Sequence, residues 1–360
     1  MDRDFERIVN SYADMLLRIC MHYTNNISDA EDVVQAAFLK LVEKNVVFES
    51  TDHEKAWLIR VCINLCKDSL KSSWKKKVFS VHDQEFKDQP YEKADENKIR
   101  QALLSDFRDI NIILLDETDS TNEQLKNLAR QGEKRQTVMI AESQTKGKGT
   151  KGRSFYSPES TGCYMSFLVF PDCSPAESPL LTVAAAAATA EAIEKVTGIK
   201  ADIKWVNDII IDGRKTAGIL TEGSISKDMK SMDWAVVGIG INITAPEGGF
   251  PEEIKNIAGA LVSGTDNVKN RLAAEVINIF LSYCGKLSEK NFFDFYKSRL
   301  FFLGKKITVT QADRVFTATA NDIDEMCRLV VTDEKGDKIT LDSAEIDTKI
   351  NAKCKMQNAK

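Results

Sequence analysis

The chain has 360 residues, a formal net charge of −5, and eight cysteines in no regular arrangement. This length leaves room for two or three domains, and the negative balance argues against a protein that coats nucleic acid by bulk charge. The apolar runs are too short for a membrane span, and the opening residues are unlike a signal peptide. Scattered cysteines are typical of reduced thiols, so we expect a cytoplasmic protein with no membrane contact. The three histidines all lie before residue 100, which excludes a histidine base or a histidine-ligated zinc in the remainder.

Residues 1 to 78 have the apolar spacing of helices. Ser28 and Glu31 form a capping box that opens one of them. Another helix runs into a basic stretch, residues 71 to 77, which contains Trp74. Aromatic and basic side chains together can bind nucleic acid, but lysines at a helix C-terminus also favour the helix dipole. On the pattern alone, both interpretations stay open.

Two stretches of this segment, Asp29–Leu41 and Lys55–Asp68, resemble region 2 of bacterial sigma factors of the extracytoplasmic-function class. The resemblance implies an all-α domain that contacts RNA polymerase and melts promoter DNA at the −10 element. The helix-turn-helix that completes such a factor does not follow, so a complete sigma factor is not expected. Residues 79 to 98 are polar and charged, which predicts a linker.

The remainder is organised around a loop rich in glycine and basic residues, Gln144–Arg153, between two apolar runs that predict strands. Glycines bring backbone N–H groups close to a bound group. The clustered cations would repel one another without an anion among them, so the loop predicts a cradle for a phosphate or carboxylate. A solvated surface loop would explain the lysines but not the glycines.

The spacing Gly147-x-Gly149-x-x-Gly152 also fits a dinucleotide-binding loop. That interpretation requires a helix that opens directly from the loop, and no helical periodicity begins before about Ser178. A phosphate-loop NTPase is disfavoured as well, since no Gly-Lys-Ser/Thr follows a four-residue spacer.

A strand is predicted from Ile110 to Leu115 and a helix from near Asn122, so Ser120 and Thr121 lie at a helix N-terminus. Hydroxyls there usually cap the helix, although they can equally contact a polar ligand. The alanine-rich run from Leu180 to Val196 predicts a long helix that Gly198 ends.

The dipeptide Asp212-Gly213 between two apolar runs predicts a hairpin. Lys204 and Lys215 interrupt strands that should be well buried, and a buried lysine is costly without an anion. The hairpin therefore predicts a negatively charged ligand. The strand from Trp234 to Ile243 has glycines that allow close backbone approach.

Helices are predicted around residues 267–286 and 291–300. Residues 304 to 348 alternate short strands with turns, which predicts a small β-barrel.

Five motifs occur in one order: Ser120–Asn122, Gln144–Arg153, Lys204–Asp208, Lys215–Leu220 and Gly238–Asn242. Together they resemble biotin protein ligases over about residues 108 to 348. The resemblance implies an α+β domain with a mixed sheet, related to the class II aminoacyl-tRNA synthetase fold, followed by an SH3-like barrel. The expected organisation is a helical domain at 1–78, a linker at 79–98, a catalytic domain at 99–300, the barrel at 301–348 and a tail at 349–360.

The resemblance also implies the reaction. Biotin and ATP, with Mg²⁺, give biotinoyl-5′-adenylate, and the biotin then passes to a lysine of a biotin carboxyl carrier protein, expected to be the acetyl-CoA carboxylase carrier domain. The residues implied to bind biotin are Ser120, Thr121, Asn122, Gln144, Lys148, Gly149, Thr150, Lys215 and Gly218. Those implied to bind ATP are Gly147, Arg153, Asn207 and Asn242. Those implied to be catalytic are Lys215, Arg153 and Lys204. Cations fit this chemistry because the attack of a carboxylate on a phosphate brings two anions together.

Three residues depart from the family pattern. Thr150 replaces a frequent arginine, Phe155 the usual tryptophan and Val206 a common proline. The first could weaken retention of the adenylate, and we expect none of them to abolish activity. The family also makes a homodimer possible.

Other functions stay open on the sequence. The chain could be a biotin-responsive transcription regulator that binds RNA polymerase or promoter DNA through residues 1–78, or that segment could be a remnant or docking module. A relative of lipoate ligases would share the fold but should lack the glycine-rich basic loop.

Overall fold

The computed structural model describes residues 92–261, 268–311 and 314–348, together with isolated positions between residues 8 and 62. The chain divides into two compact units, Met1–Gln89 and Pro90–Lys360. In the first unit the described positions are all helical, and they include a buried cluster with Leu16, Ala37 and Leu58. The basic stretch around Trp74, the rest of the predicted linker before residue 92 and the predicted tail lie outside the described residues. The all-α domain therefore stays a prediction.

The second unit is built on a seven-stranded sheet. Its strands are β1 (Asn111–Thr118), β2 (Thr137–Gln144), β3 (Gly162–Val169), β4 (Asp202–Lys204), β5 (Asp208–Ile211), β6 (Arg214–Ile225) and β7 (Met232–Asn242). Their order is β1-β2-β3-β7-β6-β5-β4. β1 and β2 are parallel, whereas the other neighbouring strands pair antiparallel. The predicted mixed sheet is confirmed.

Helices cover both faces of this sheet. They are α1 (Glu96–Ala102), α2 (Thr121–Arg130), α3 (Pro179–Thr197), α4 (Val268–Gly285) and α5 (Phe293–Ser298). Because successive strand residues point to opposite faces, Val138 and Ile140 of β2 join the core under α3 and α4, while Met139 packs with Leu125 of α2. Within the part of the chain that the structure describes, none of the helices combines the length and apolar character needed to cross a membrane.

The long alanine-rich helix agrees closely with its sequence signals. α3 begins at Pro179, and its Ala184–Ala188 run is fully buried between α4 and the sheet. Gly198 ends the helix at φ 72°, in the left-handed region that favours glycine.

A second sheet follows. It is antiparallel and comprises β8 (Lys306–Gln311), β9 (Arg314–Ile323), β10 (Leu329–Asp333), β11 (Lys338–Leu341) and β12 (Glu345–Asp347), in the order β11-β10-β9-β8-β12. Its inner residues, such as Ile307 and Leu329, belong to the same hydrophobic core as the first sheet. The predicted short strands are confirmed, and the likeness to an SH3 barrel stays a prediction.

Residues 92 to 98 were predicted to lie in the linker, but they pack on the second unit. The Glu142 carboxylate accepts hydrogen bonds from the backbone N–H of Ala94 at 2.7 Å and from Lys269 Nζ at 2.6 Å. Asp95 then caps α1 through backbone N–H groups of its first turn. The polar composition of this segment suggested a linker. The prediction failed because these polar side chains bond to residues distant in sequence, which the local pattern does not show.

The apolar run from Ile203 to Ile211 is not one strand. The chain reverses at residues 205–207, so that β4 and β5 pair antiparallel, and the Trp205–Val206 peptide bond is cis. The Trp205 ring is buried, and its Nε1–H donates to the Cys327 carbonyl at 2.8 Å. A buried indole needs such an acceptor, and this one lies just before β10 of the second sheet.

Candidate functional site

The carboxyl ends of β1 and β2 lie side by side because these strands are parallel. The backbone N–H of Lys146 donates to the Asp119 carbonyl at 2.8 Å. The backbone N–H of Thr121, at the start of α2, donates to Gln144 Oε1 at 2.9 Å. The Ser-Thr-Asn motif and the start of the glycine-rich loop are therefore brought together, although 23 residues separate Thr121 from Gln144.

A cleft of about 460 Å³, open to solvent, lies beside this edge over β3, β6 and β7. The predicted site residues that line it are Ser120, Thr121, Asn122, Gln144, Lys148, Gly149, Thr150, Asn207, Lys215 and Gly218. Four predicted site residues do not line it: Gly147, Arg153, Lys204 and Asn242. The lining also includes residues that were not predicted as site residues: Phe155, Met165, Ser166, Ile219, Leu220, Gly238, Ile239 and Gly240.

Ser120 precedes α2 but does not cap it. Its side chain makes no capping hydrogen bond, and the residue is only 2% exposed where it lines the cleft. Thr121 instead places its hydroxyl 2.6 Å from Ser166 Oγ and 3.1 Å from Gln144 Oε1. The capping interpretation is wrong for Ser120. Because its hydroxyl is not used as a cap and the residue lines the cleft, Ser120 is available for a polar ligand group.

The floor of the cleft is formed by two glycines that have no side chain. Gly218 of β6 and Gly240 of β7 face each other across the two strands, and the Phe155 ring lies against both. A Cβ atom at Gly240 would approach the Phe155 ring to 2.6 Å, and one at Gly238 would approach Asn122 Oδ1 to 2.2 Å. These glycines therefore admit the side chains that shape the cleft, in line with the close approach that their spacing predicts.

The glycine-rich loop is an ordered ribbon. The backbone N–H of Gly149 donates to the Arg153 carbonyl at 2.7 Å, and that of Phe155 donates to the Gly147 carbonyl at 2.8 Å. The tip turns through Lys151 at φ 57° and Gly152 at φ 75°. No α-helix opens from the loop before α3, which agrees with the rejection of a dinucleotide-binding loop.

Three of the four cations in the loop form ion pairs with protein carboxylates. Lys148 pairs with Glu123 of α2, while Arg153 and Lys151 both pair with Glu345 of β12. Hydrogen bonds from Lys126 and from Lys148 lower the pKa of Glu123. Burial works to raise the pKa of Glu345, but the two cations outweigh it and lower that pKa. The sequence predicted an anion among these cations, and Glu123 and Glu345 occupy that role here.

Lys215 and Lys204 were expected in well-buried strand positions, and both are instead partly exposed. Lys215 folds back over Gly218 and places its Nζ 2.5 Å from Asp208 Oδ1. Lys204 lies in β4, and it forms no ion pair with any residue that the structure describes. An edge position explains the exposure of Lys204, because β4 is the outer strand of the sheet. Lys215 lies at the start of the interior strand β6 and faces the cleft.

The two predicted nucleotide-binding asparagines are placed differently. Asn207 lines the cleft and donates its Nδ2–H to the Ile219 carbonyl at 2.8 Å. Asn242 is buried, and its Nδ2–H donates to the Gly259 carbonyl at 3.0 Å, which holds the segment after β7.

Within the described ranges no cluster of three or more histidine, cysteine, aspartate or glutamate side chains could hold a metal ion.

Comparisons with known proteins agree with this fold. The profile of the biotin/lipoate A/B protein ligase family matches residues 114–242, and that of the biotin protein ligase C-terminal domain matches residues 302–348. The bifunctional ligase/repressor BirA of Bacillus spizizenii is 32% identical over 267 residues, which cover 71% of this chain and 79% of that protein. The structure of biotin protein ligase from Aquifex aeolicus in complex with biotin and ATP aligns with a TM-score of 0.52 and 29% identity, over 66% of this chain and 97% of that one.

Fold and site thus define a ligase of the biotin/lipoate class. Because the similarity to BirA spans most of that relative, this chain belongs to the biotin protein ligase family.

The N-terminal segment has separate relatives. The profile of sigma-70 region 2 matches residues 8–76. The extracytoplasmic-function RNA polymerase sigma factor SigW of Bacillus subtilis is 32% identical over 71 residues, which cover 19% of this chain and 38% of that protein. The predicted resemblance to a sigma factor is confirmed.

Proposed function

We propose that the chain joins biotin to ATP and then transfers the biotin to a lysine of a biotin carboxyl carrier protein. The observation that carries this proposal is a single cleft in which neutral hydrogen-bonding groups and cations lie side by side. Ser120, Thr121 and Gln144 are suited to the ureido ring, and Lys148 and Lys215 to the carboxylate. Membership of the biotin protein ligase family supports the same reaction.

The cleft fits a ligand of this kind. Its lining combines apolar side chains with a small number of hydrogen-bonding and charged groups, as is typical of small-molecule sites. The Phe155 ring, which lies against Gly218 and Gly240, provides an apolar surface for a ring system, and Gly149 and Thr150 also line the cleft. Asn122 lies beneath the ureido end rather than at the carboxylate end of the cleft, because it is bonded to Ser166.

In the first step an oxygen of the biotin carboxylate attacks the α-phosphorus of ATP. The new O–P bond forms as the bond to the bridging oxygen breaks, and pyrophosphate leaves with that oxygen and its electron pair. Both reactants are anions, so cations must offset their repulsion. We assign the position between carboxylate and α-phosphate to Lys215, because it already holds the carboxylate of Asp208 at 2.5 Å.

We assign Arg153 and Lys204 to stabilisation of the phosphate charge, and Gly147, Asn207 and Asn242 to the nucleotide side. Arg153 is an exposed cation that already holds a carboxylate, so it can exchange that group for a phosphate. Mg²⁺ would neutralise charge on the triphosphate. Magnesium bound to nucleotides keeps several waters and few protein ligands, which is compatible with this site.

In the second step the amine of the carrier lysine attacks the acyl carbon of the adenylate. An amide bond forms, the bond between the acyl carbon and the phosphate oxygen breaks, AMP leaves, and the amine releases its proton. We propose the acetyl-CoA carboxylase carrier domain as the acceptor. A cytoplasmic location and a homodimer are proposed from the family resemblance.

The test is transfer of labelled biotin to a purified carrier domain with ATP and Mg²⁺. Lys215→Ala should reduce transfer about 100-fold or more, since it removes a preorganised cation from the reacting centre. Lys200→Ala is the matched control, because Lys200 pairs with Asp202 at 3.2 Å on an exposed surface away from the cleft lining. It should transfer biotin at the wild-type rate. A folded wild-type protein that transfers no biotin would refute the proposal.

A second function has its own support. The match of residues 8–76 to sigma-70 region 2, together with a relative named ligase/repressor, favours a biotin-responsive regulator. We propose that residues 1–78 bind promoter DNA or RNA polymerase. Fluorescence anisotropy of a −10 promoter fragment, and pull-down of core polymerase, would be measured with and without biotin and ATP. Trp74→Ala should weaken any DNA binding, and absence of both interactions in every ligand state would favour a remnant or docking module.

A further inference from the structure

Below the cleft, five side chains form a continuous polar chain from α2 through β3 to β6, buried except for the partly exposed Glu222. Glu222 receives Lys126 Nζ on Oε1 at 2.6 Å and Asn122 Nδ2 on Oε2 at 3.0 Å. The hydroxyl of Ser166 donates to Asn122 Oδ1 at 2.6 Å. Thr121 Oγ1 then lies 2.6 Å from Ser166 Oγ. The chain thus begins at an ion pair and ends at a hydroxyl that lines the cleft.

Glu222 and, at the longer distance of 3.4 Å, the Leu220 carbonyl both accept from the Asn122 amide nitrogen, and they set the direction of the hydrogen bonds in this chain. An ionised Glu222 only accepts hydrogen bonds, so the amide nitrogen of Asn122 must face it and the amide oxygen must face Ser166. The single hydroxyl proton of Ser166 is then used on Asn122. Thr121 must therefore donate its own proton to Ser166, which leaves Thr121 Oγ1 with lone pairs only for a ligand.

A second contact of Thr121 does not change this result. Its hydroxyl also lies 3.1 Å from Gln144 Oε1, but that distance is longer than the 2.6 Å to Ser166. Gln144 Oε1 already accepts the backbone N–H of Thr121 at 2.9 Å. The same oxygen has a second lone pair for the Thr121 hydroxyl, so the Thr121 proton is used within the protein whether it faces Ser166 or Gln144.

Packing keeps the buried polar chain in this arrangement. Asn122, Ser166 and Thr121 are at most 4% exposed, so water cannot replace their hydrogen bonds. The Asn122 amide lies directly against the backbone of Gly238, in space that a Cβ at that position would occupy. Lys126 is buried as well, and a second carboxylate on α2 holds its ammonium at 2.5 Å.

We propose that Glu222 is a positioning residue that makes Thr121 the acceptor for a ring N–H of the ligand. This inference rests on the proposed function, since it takes biotin as the ligand. It makes Glu222 a determinant of specificity, selecting a cyclic urea over a ring of the same shape that presents oxygen in place of the N–H. Glu222 itself does not line the cleft.

The substitution Glu222→Gln replaces a group that only accepts hydrogen bonds with one that donates and accepts, while the shape of the side chain stays the same. The new amide oxygen can face Lys126 or Asn122 but not both. When it faces Lys126, the new NH₂ group turns Asn122 around, Ser166 becomes an acceptor from Asn122, and Thr121 becomes a donor. A donor facing a ligand N–H loses the bond and leaves both groups unsatisfied, so the biotin Kd should rise about ten-fold or more. The KM for ATP should change less than about two-fold, because the nucleotide groups lie elsewhere in the site.

A double variant tests polarity apart from charge. In Asn122→Asp/Glu222→Gln, the carboxylate introduced at position 122 accepts both from the new amide and from Ser166. Ser166 remains a donor to position 122 and Thr121 an acceptor, so biotin affinity should recover. Asn122→Asp alone would put two carboxylates about 3 Å apart and should bind biotin worse than the double variant.

Glu194→Gln is the matched control. Glu194 forms a comparable half-buried ion pair with Arg299 at 2.8 Å, at a position that does not line the cleft. It should lower the melting temperature without changing the affinity for biotin.

The experiment is isothermal titration of each variant with biotin and with two biotin analogues, each with one ring N–H replaced by oxygen. The near-ultraviolet circular dichroism spectrum verifies folding. The wild type should prefer biotin, Glu222→Gln should lose most of that preference, and the double variant should regain it. A folded Glu222→Gln with wild-type affinity and preference would overturn the inference while leaving the proposed function intact. Wild-type protein that binds no biotin would overturn both.

Two further outcomes also test the inference about Glu222. Loss of affinity in Glu194→Gln equal to that in Glu222→Gln would overturn the inference, because it would show a general effect of ion-pair loss. If Glu222→Gln alone does not fold, the double variant decides. A folded double variant that prefers biotin supports the inference, and one that has lost the preference overturns it.

Discussion

Replacing Gly240 with alanine would put a methyl group where the Phe155 ring lies on the floor of the cleft. The added Cβ would lie 2.6, 2.8 and 3.0 Å from three ring carbons. Unbonded carbons need about 3.5 Å or more, so the ring would have to move by roughly 1 Å. Gly218 restricts one direction, because the Phe155 ring already lies 3.4 Å from its Cβ position. Overpacking of this kind costs about 1–3 kcal/mol, which corresponds to about 5- to 160-fold in an equilibrium constant.

The assay is calorimetric measurement of the biotin Kd, together with the melting temperature. Gly285→Ala is the control, because nothing lies within 4 Å of its Cβ position and its φ is not positive. Gly240→Ala should raise the Kd within the range above, and adding Phe155→Leu should restore part of the affinity by removing the contacted ring atoms. If Gly240→Ala matched Gly285→Ala in both measurements, the Phe155 ring would not occupy this floor and the reasoning would be refuted.

Three other predictions concern charge. Lys269→Met should lower the free energy of unfolding by about 3–5 kcal/mol, because it leaves the buried Glu142 carboxylate without its cation; a loss below about 1 kcal/mol in urea denaturation would contradict this. Glu345→Gln should lower the KM for ATP up to about five-fold at low salt, because an exposed ion pair that competes for Arg153 contributes at most about 1 kcal/mol. A raised KM, or an effect that persists in high salt, would show that the pair does not compete. The pKa of Glu123 is lowered from 4.5 by its hydrogen bonds to lysines, so its stabilisation is present above about pH 4.5 and is lost as the pH falls further. The difference in melting temperature between wild type and Glu123→Gln should shrink below that pH, and a constant difference would speak against the pairing.

Elements determined by local sequence were predicted closely. The alanine-rich helix was expected at Leu180–Val196 and lies at Pro179–Thr197, since its start, its composition and its terminal glycine are all local signals. The reversal at residues 205–207 was missed. It depends on the Trp205 indole, whose acceptor on Cys327 is 122 residues away. Periodicity within a short window carries no information about such a partner.

The residues of the candidate site divide in the same way, between those recognisable from local sequence and those that depend on distant partners. The motifs that approach the cleft were recognisable, because glycines and cations cluster within single stretches of sequence. The partners of those cations were not, since Arg153 meets Glu345 across 192 residues. Ser166 was missed because a serine within an apolar strand matches no motif. For Ser120 the local pattern left capping and ligand contact open, and only its position beside the cleft distinguishes a ligand-binding hydroxyl from a cap.

The pairing of the loop cations with carboxylates affects how the site responds to its medium. An anion that binds at Lys148 or Arg153 must displace a counter-ion supplied by the protein, so binding is an exchange rather than the neutralisation of free charge. Dissolved salt screens the old and the new ion pair alike. Affinity for an anionic substrate should therefore depend on ionic strength less than the number of basic residues suggests. The exchange also frees Glu123 and Glu345, so an arriving carrier protein would meet a surface with a different charge pattern once the site is filled.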